Sequence, residues 1–160
     1  MIRITLEDYG SPIGLGIKTC TSVQKHEFVC SYKGKLLKYK VAIALENWYS
    51  KQGAHSYMFY FISPCTGVKV CLDATYFNTL PSGQLTIRQA RKHLSKTGFA
   101  RYINHSMKNP NLYAKASSDT NGKPILQFYA ARDIIVGEQL LLDYGERRAN
   151  VIKHLPWLKC

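Results

Sequence analysis

The sequence contains no hydrophobic run of the length that a membrane-spanning helix needs, which is about 18 residues. Its first twenty residues carry acids and glycines in place of the apolar centre of a signal peptide. These two absences argue against an integral membrane protein and against an exported one. We therefore expect a soluble protein that makes no membrane contact.

Cysteines are few and are badly spaced for crosslinking or metal binding. The five are Cys20, Cys30, Cys65, Cys71 and Cys160. This odd-numbered set contains no C-x-x-C pair and no Cys/His pairing at zinc-ligand spacing. The pattern argues against a disulfide framework and against a structural metal, so we expect a reducing compartment, the cytosol or the nucleus.

Acidic residues are also scarce, since 10 Asp and Glu stand against 22 Lys and Arg, for a formal net charge of +12. Such a chain favours an acidic partner: nucleic acid, an anionic membrane, or a complex that contains one of them. The 160 residues are 46% hydrophobic and 12% aromatic, which suits one domain with a single core. This composition excludes a disordered tail.

Short strands separated by turn residues dominate the predicted secondary structure. Alternating, β-branched or aromatic runs predict strands at residues 2–6, 27–32, 56–62, 68–73, 112–116 and 125–130. The third and fourth of these should pair with each other across residues 63–67. Between the last two strands, Asn121-Gly122 is a strong signal for a hairpin turn.

Helices are predicted only at the edges. Residues 40–51 place Val41, Leu45 and Trp48 on one face at positions i, i+4 and i+7. A shorter basic helix is predicted at 86–95, within an insertion at 76–97, and another at 147–154, ended by Pro156. We therefore predict a mostly β protein, α+β by content, made of several small sheets with short edge helices.

Three separated segments are unusual for a plain β domain. They are Gly14-Leu15-Gly16, the run RYINHS at 101–106, and LDYG at 142–145. Each is a weak signal alone. In this order they resemble the SET-domain protein lysine methyltransferases, over nearly the whole chain. The segments YMFYF (57–61) and CLDAT (71–75), with a Pro-Trp-Leu tail, resemble the PR-Set type, the histone H4 lysine-twenty monomethyltransferases.

This resemblance implies a single SET domain over residues 1–160, with the insertion at about 76–97, a C-terminal flanking helix at about 147–160 and a knot-like threading of the C-terminus. It implies transfer of a methyl group from S-adenosyl-L-methionine to a lysine side chain, with S-adenosyl-L-homocysteine as the product. The implied partners are a histone tail peptide and the nucleosome, the implied location is the nucleus, and we expect a monomer.

Other functions remain open at this point. One is a lysine methyltransferase for another histone or for a non-histone protein. Another is a catalytically silent SET domain that binds chromatin. A plain basic nucleic-acid-binding β domain would explain the charge but none of the three segments.

The resemblance also implies catalytic residues. Tyr144 would place its hydroxyl near the reacting amine and methyl group, and Tyr32 would orient the amine; each could instead be an ordinary core tyrosine. Leu142 stands where the family has Tyr or Phe. Because a tyrosine there tends to retain a water and limit the product to one methyl, leucine leads us to expect two or three methyls, or a loose and slow channel.

The residues implied to bind the cofactor are Gly14, Leu15, Gly16, Tyr57, Asn104, His105 and Trp157. The glycines would let the backbone approach the methionine end of the cofactor. Asn104 and His105 would hold the adenosine, and Trp157 would stack on the adenine. Each assignment has a structural alternative. The glycines could form an ordinary turn, the Asn-His pair could be a structural turn, and the two aromatic residues could be core residues. Leu15 replaces the arginine usual in SET domains.

Two basic clusters are candidates for contact with nucleosomal DNA. They are Lys33, Lys35, Lys38 and Lys40, and Arg88, Arg91, Lys92 and Lys96. Each Lys or Arg that lies near a DNA phosphate increases the affinity for DNA. Binding to nucleosomal DNA would thus bring a basic enzyme close to a basic histone tail. The alternative for both clusters is a solvated surface.

Overall fold

A computed structural model of the chain describes residues 2–75 and 86–145, together with Lys153 and Lys159. The strands within these residues are β1 (Ile4–Asp8), β2 (Leu15–Thr19), β3 (Phe28–Ser31), β4 (Lys35–Lys38), β5 (Met58–Ile62), β6 (Lys69–Asp73), β7 (Asn104–His105), β8 (Leu112–Ser118), β9 (Pro124–Ala130) and β10 (Leu141–Leu142). The helices are α1 (Tyr39–Lys51), α2 (Ile87–Thr97) and a 3₁₀ turn (Ala100–Tyr102).

The chain divides into two compact units. Unit 1 comprises residues 1–30, 102–114 and 128–160, and unit 2 comprises residues 31–101 and 115–127. Strands β8 and β9 begin in one unit and end in the other.

Unit 1 holds the strands that carry the first and third sequence segments. Strands β1 and β2 are antiparallel, with Glu7 opposite Gly16. Strand β10 runs parallel to β7, with Leu142 opposite His105, and it also pairs in parallel with β8. Strands β7, β8 and β10 belong to a five-stranded sheet of order β3-β9-β8-β10-β7, whereas β1 and β2 form a sheet of their own. Fully buried side chains such as Ile17 and Phe128 form the core around these strands, because burial removes their apolar surface from water.

Unit 2 contains a three-stranded antiparallel sheet of order β4-β6-β5, against which α1 packs. Its core cluster consists of Leu37, Ala42 and Cys71, with Leu45, Met58 and Tyr60 packed around it. Burial raises the pKa of the Cys71 thiol to about 12. This cysteine is therefore a neutral packing residue and not a reactive thiolate.

The predicted elements are confirmed, with boundary shifts of one or two residues for most of them. The pairing of β5 with β6 and the placement of β8 beside β9 agree with the predicted hairpins. Helix α2 begins with a capping box, in which the Thr86 side chain accepts from the Gln89 backbone and the Gln89 side chain accepts from Thr86 in return. Residues 76–85 of the predicted insertion lie outside the described residues, and so does the predicted C-terminal helix apart from Lys153, which is helical.

The predicted apolar face of α1 is not the face that packs. Ala42 and Tyr49 are the buried residues of this helix, and Leu45 packs with them, whereas Val41 and Trp48 are exposed. The predicted face was therefore wrong for two of its three residues, since Leu45 packs in the core but Val41 and Trp48 face solvent. The Tyr49 hydroxyl donates to Asp73 on β6, which allows this polar group to be buried, and periodicity cannot reveal such a contact.

No helix in the described part of the chain is long and apolar enough to cross a membrane.

Candidate active site

Gly16 on β2 lies where other side chains crowd the backbone. A Cβ at this position would stand 2.6 Å from Asn104 Nδ2, 2.6 Å from Tyr9 Cε2 and 2.9 Å from Gln139 Nε2. Only glycine fits without movement of these groups. These neighbours account for a glycine at this position, and the predicted approach of its backbone to a cofactor stays a prediction.

Gly14 is glycine for a different reason. Its φ of +73° lies in the left-handed region, which other residues rarely adopt. Its N–H donates to the Gly10 carbonyl at 2.7 Å, and its carbonyl accepts from the Tyr9 N–H at 2.9 Å, which closes a turn. The conformation of this turn accounts for the glycine, so Gly14 needs no ligand to explain it. Leu15, the next residue, opens β2 opposite Asp8 and is partly buried.

Asn104 carries an unusual polar atom beside Gly16. Its Nδ2 is buried and has no hydrogen-bond partner among the residues that the structure describes. A buried donor left unpaired costs about 1–3 kcal/mol, so proteins usually give such a group a partner. A ligand with an acceptor oxygen would supply one. The site therefore fits a cofactor that carries a carboxylate or ribose hydroxyl groups.

His105 and Tyr144 contact each other through the parallel pairing of β7 with β10. The Tyr144 N–H donates to His105 Nδ1 at 3.0 Å, and the two ring centroids are 5.0 Å apart. Because Nδ1 accepts this bond, the proton of the neutral imidazole is on Nε2. The Tyr144 hydroxyl donates to the Ile103 carbonyl at 2.5 Å. The residue as a whole is still 42% exposed, so Tyr144 is held in place by its hydrogen bonds and remains accessible.

Leu142 precedes this tyrosine by two residues and is buried. Its carbonyl accepts from the Ser106 N–H at 3.1 Å, which continues the pairing with β7 beyond His105. An aliphatic side chain of this kind excludes water but cannot bind one.

Tyr32, in unit 2, belongs to a buried network. Its hydroxyl donates to the Tyr57 carbonyl at 2.9 Å, and its ring packs against Phe59 with centroids 5.5 Å apart. The Tyr57 N–H in turn donates to Thr75 Oγ1 at 2.8 Å. The Tyr57 ring lies under the buried guanidinium of Arg101, which is 4.8 Å from the ring centroid.

Asp73 anchors the far end of this network. Its Oδ1 accepts from the Thr75 N–H and its Oδ2 from the Tyr49 hydroxyl, each at 2.8 Å. Burial, and then the hydrogen bond to Asp73, raises the pKa of Tyr49, so this hydroxyl remains a donor. Arg101 Nη1 donates to the Ala74 carbonyl at 2.8 Å, which fixes the same stretch of backbone.

Comparison with known proteins identifies the family. The family model for the SET domain matches residues 14–145. The chain belongs to the SET domain family. A solved structure of CpSET8 from Cryptosporidium matches this SET domain with a TM-score of 0.69 and 31% sequence identity, over 92% of this chain and 58% of that one. These matches confirm the mostly β SET fold expected from the three sequence segments.

Relatives of this SET domain include named methyltransferases. It is 36% identical over 146 residues to the histone-lysine N-methyltransferase set-1 of Caenorhabditis elegans, covering 91% of this chain and 52% of that protein. It is 36% identical over 147 residues to the N-lysine methyltransferase KMT5A-B of Xenopus laevis, covering 91% of this chain and 37% of that protein. The chain thus spans about half or less of the length of these relatives. SET methyltransferases in general use S-adenosylmethionine.

The predicted site residues of the SET domain fall into two groups. Unit 1 holds Gly14, Leu15, Gly16, Asn104, His105, Leu142 and Tyr144, and unit 2 holds Tyr32 and Tyr57. Trp157 lies outside the described residues. The lysines of the first basic cluster are exposed, as are Arg88, Arg91 and Lys92 of the second.

Sequence reasoning assigned no role to several residues that shape these groups. Tyr9 and Gln139 border Gly16, and Asp73 and Arg101 hold the network around Tyr57. Burial, together with the nearby Glu7 carboxylate, raises the pKa of Tyr9. The positions of Asp73 and Arg101 in the sequence could have indicated a structural role. Each is a charged residue within a stretch whose neighbouring residues are buried, and charged residues are rarely buried without a partner. For Tyr9 and Gln139 the sequence offers no such signal.

Proposed function

We propose that this chain is a protein lysine N-methyltransferase that uses S-adenosyl-L-methionine and acts on a histone tail, that of histone H4 in nucleosomes foremost. We propose with it that residues 1–160 are one SET domain. The observation that carries the proposal is the pairing of β7 with β10, which positions Asn104 beside Gly16 and binds His105 to Tyr144.

When bound, S-adenosylmethionine supplies an electrophilic methyl group on a positively charged sulfur. The backbone at Gly16 would approach the methionine end closely, and Asn104 Nδ2 would donate to one of the acceptor oxygens. Because His105 Nδ1 is engaged by Tyr144, contact of this histidine with adenosine would come from Nε2 or the backbone. Leu15, Tyr57 and Trp157 complete the proposed binding residues.

The substrate lysine must be neutral to react. Deprotonating an amine of pKa ~10.4 at pH ~7.4 costs roughly 4 kcal/mol. Exclusion of water by aromatic side chains offsets this cost, since desolvation disfavours the ammonium. The Tyr144 hydroxyl donates to Ile103, and its oxygen keeps lone pairs that can accept from the amine. Tyr32, whose hydroxyl donates to Tyr57, would orient the amine in the same manner.

We propose that the product carries two or three methyls. A buried leucine at position 142 presents no hydroxyl to hold a water near the amine. The space that such a water would fill is then open to a methylated amine. This part of the proposal depends on one residue and is tested separately in the Discussion.

We also propose a location in the nucleus and binding to nucleosomes, and the charge of the chain supports the second of these. The net charge of +12 repels a basic tail in free solution, whereas DNA phosphates attract the exposed lysines. If four to six phosphates are neutralised, the logarithm of nucleosome affinity should fall with the logarithm of salt concentration at a slope of about −4 to −5. An affinity independent of salt would remove the lysine clusters from the proposal.

One experiment tests the activity, the substrate and nucleosome dependence together. The protein is incubated with cofactor labelled in the methyl group and, separately, with free histones, nucleosomes and bulk cellular protein. We expect label on histone H4, more strongly in nucleosomes than in free histones. The Tyr144→Phe variant serves as the inactive control.

Absence of label from every substrate would contradict the enzymatic proposal, and a melting experiment then identifies the remaining function. S-adenosylhomocysteine at 100 times its Kd should add about 2.7 kcal/mol to the free energy of unfolding. A stabilised but inactive protein would be a silent SET domain that binds chromatin, and an unaffected one would lack the cofactor site altogether.

A further inference from the structure

The outer face of α1 exposes an apolar stripe. We use the term α1 stripe for Val41, Ala44 and Trp48, which recur at i, i+3 and i+7 and therefore follow one side of the helix over about 10 Å. Val41 is 52% exposed and Trp48 is 42% exposed. The opposite side of the helix, with Ala42 and Tyr49, is the side that packs in unit 2.

Such a stripe is unusual on a helix whose packing side is already covered. Single exposed apolar residues are common, but contiguous ones on a soluble protein mark a surface that another molecule covers. Trp48 adds weight to this interpretation, because tryptophan is enriched among the residues that dominate protein interfaces.

The charges around the α1 stripe have one sign. Lys38, Lys40 and Lys51 are exposed at the two ends of the helix. Glu46, the acidic residue of α1, is half-buried and accepts from the Tyr60 hydroxyl at 2.8 Å on the sheet side. The charged groups that α1 presents to solvent are therefore positive.

The N-terminus of α1 strengthens this asymmetry. Within this fully described helix, the first turn has no acidic residue, and Lys38 at the cap makes no side-chain hydrogen bond to the backbone. Helix N-termini carry a partial positive charge that favours anions, and here two lysines add to it. A partner with carboxylates at this position would relieve the like-charge contact.

We propose that the α1 stripe binds an acidic amphipathic segment of a partner protein. Apolar side chains of that segment would cover Val41, Ala44 and Trp48, and its carboxylates would pair with Lys40 and Lys51. DNA is the weaker candidate, because phosphates would pair with the lysines but would leave the aliphatic side chains without a complementary surface. Val41, Ala44 and Trp48 are separate from every residue assigned above to cofactor or substrate, whereas Lys38 and Lys40 also belong to the first basic cluster.

The proposal is tested with designed helical peptides and the full 160-residue chain. One fluorescein-labelled peptide carries leucines at i, i+3 and i+7 flanked by glutamates. A second keeps the leucines and has lysine flanks, and a third keeps the glutamates and has alanines at the leucine positions. A 30-base-pair DNA duplex is the fourth probe. Fluorescence anisotropy measures binding of each, and circular dichroism checks that every variant is folded.

We expect saturable binding of the first peptide and at least tenfold weaker binding of the other two. The double substitution Val41→Ser with Trp48→Ser should weaken the first peptide at least tenfold. Its matched control is Ile135→Ser with Val136→Ser, at positions in unit 1 that are 67% and 62% exposed, and this variant should bind normally.

A charge reversal provides an independent arm that leaves the apolar residues intact. Lys40→Glu with Lys51→Glu should weaken the glutamate-flanked peptide and strengthen the lysine-flanked one, whereas the exposed pair Lys115→Glu with Lys123→Glu should change neither. Three results would each overturn the proposal. They are no saturable binding of the glutamate-flanked peptide, equal binding of the lysine-flanked one, or loss of DNA binding in the Val41 and Trp48 variant, which would make DNA the occupant of the α1 stripe.

Discussion

Two tyrosines make the same hydrogen bond in different settings. The Tyr144 hydroxyl in unit 1 and the Tyr32 hydroxyl in unit 2 each donate to a backbone carbonyl. Tyr144 is 42% exposed, whereas Tyr32 is 8% exposed. A shared hydrogen bond therefore does not make the two residues equivalent, because one side chain is substantially exposed and the other is buried.

The polar groups around the two tyrosines also differ in how fully they are hydrogen-bonded. In unit 2 the network from Asp73 through Thr75 and Tyr57 pairs polar groups with one another. In unit 1 the buried Asn104 Nδ2 has no partner among residues 2–75 and 86–145. Polar groups that pair with one another stabilise the fold, whereas a buried donor without a protein partner is available to a ligand. We therefore expect the residues of unit 1 to contribute more to cofactor binding and methyl transfer than Tyr32 and Tyr57, whose hydrogen bonds also hold their own part of the fold in place.

The largest effect that separates the two settings should come from Tyr144→Phe. Removing a hydroxyl that acts on the reacting groups should lower the rate of methyl transfer about 100-fold or more. The affinity for S-adenosylhomocysteine should change little, and the free energy of unfolding should fall by about 1 kcal/mol, because the Ile103 carbonyl loses the hydrogen bond from this hydroxyl. Single-turnover assays with labelled cofactor, calorimetric titration and denaturant unfolding measure the three quantities.

Tyr113→Phe is the matched control, since Tyr113 is a similarly exposed tyrosine in unit 1 that has no assigned role. Its variant should transfer methyl groups at the normal rate. An unchanged rate in Tyr144→Phe itself would refute the role of this hydroxyl.

Leu142→Tyr tests the buried neighbour of Tyr144. A tyrosine at this position should retain a water near the amine and reduce the second methyl transfer at least about tenfold, so that monomethyllysine accumulates. The larger side chain should also destabilise the fold by about 1–3 kcal/mol, because the site is buried. Mass spectrometry of a methylated H4 peptide resolves the products. If the natural sequence already yields only monomethyllysine at a normal rate, the inference from Leu142 is wrong.

Gly16→Ala and Gly34→Ala compare the two units directly. The added Cβ would stand 2.6 Å from Asn104 Nδ2 in unit 1, and 2.7 Å from the Asp73 carbonyl oxygen in unit 2. Both variants should unfold more easily. Only the first should weaken cofactor binding, by about tenfold, because it displaces the donor proposed to hold the cofactor. Thermal melting with and without S-adenosylhomocysteine separates the effects, and equal losses of affinity would argue against a cofactor role specific to Gly16.

Sequence reasoning recovered those parts of the molecule that depend on local pattern. Strand runs, the Asn121-Gly122 turn and the three segments around Gly16, His105 and Tyr144 are all short-range signals. They predicted the fold, which the comparisons confirm, whereas the roles of the site residues stay predictions. The hydrogen bond from Tyr49 to Asp73 joins residues 24 positions apart, and the sequence contains no motif for it. The face of α1 that is buried also packs Ala42 and Leu45 into the core of unit 2, so the error on Val41 and Trp48 reflects contacts between residues far apart in the sequence.

Tyr32→Phe should give the smallest effect and should act mainly on stability. Loss of its hydroxyl takes a partner from the Tyr57 carbonyl at a part-buried position, and we expect the free energy of unfolding to fall by about 1 kcal/mol. Denaturant unfolding measures this difference, and the rate of methyl transfer at saturating peptide should fall by less than in Tyr144→Phe. A stability equal to that of the unmodified chain, together with a 100-fold slower reaction, would reverse our comparison. Tyr32 would then contribute as much as Tyr144 to orienting the amine, and its burial would serve mainly to exclude water.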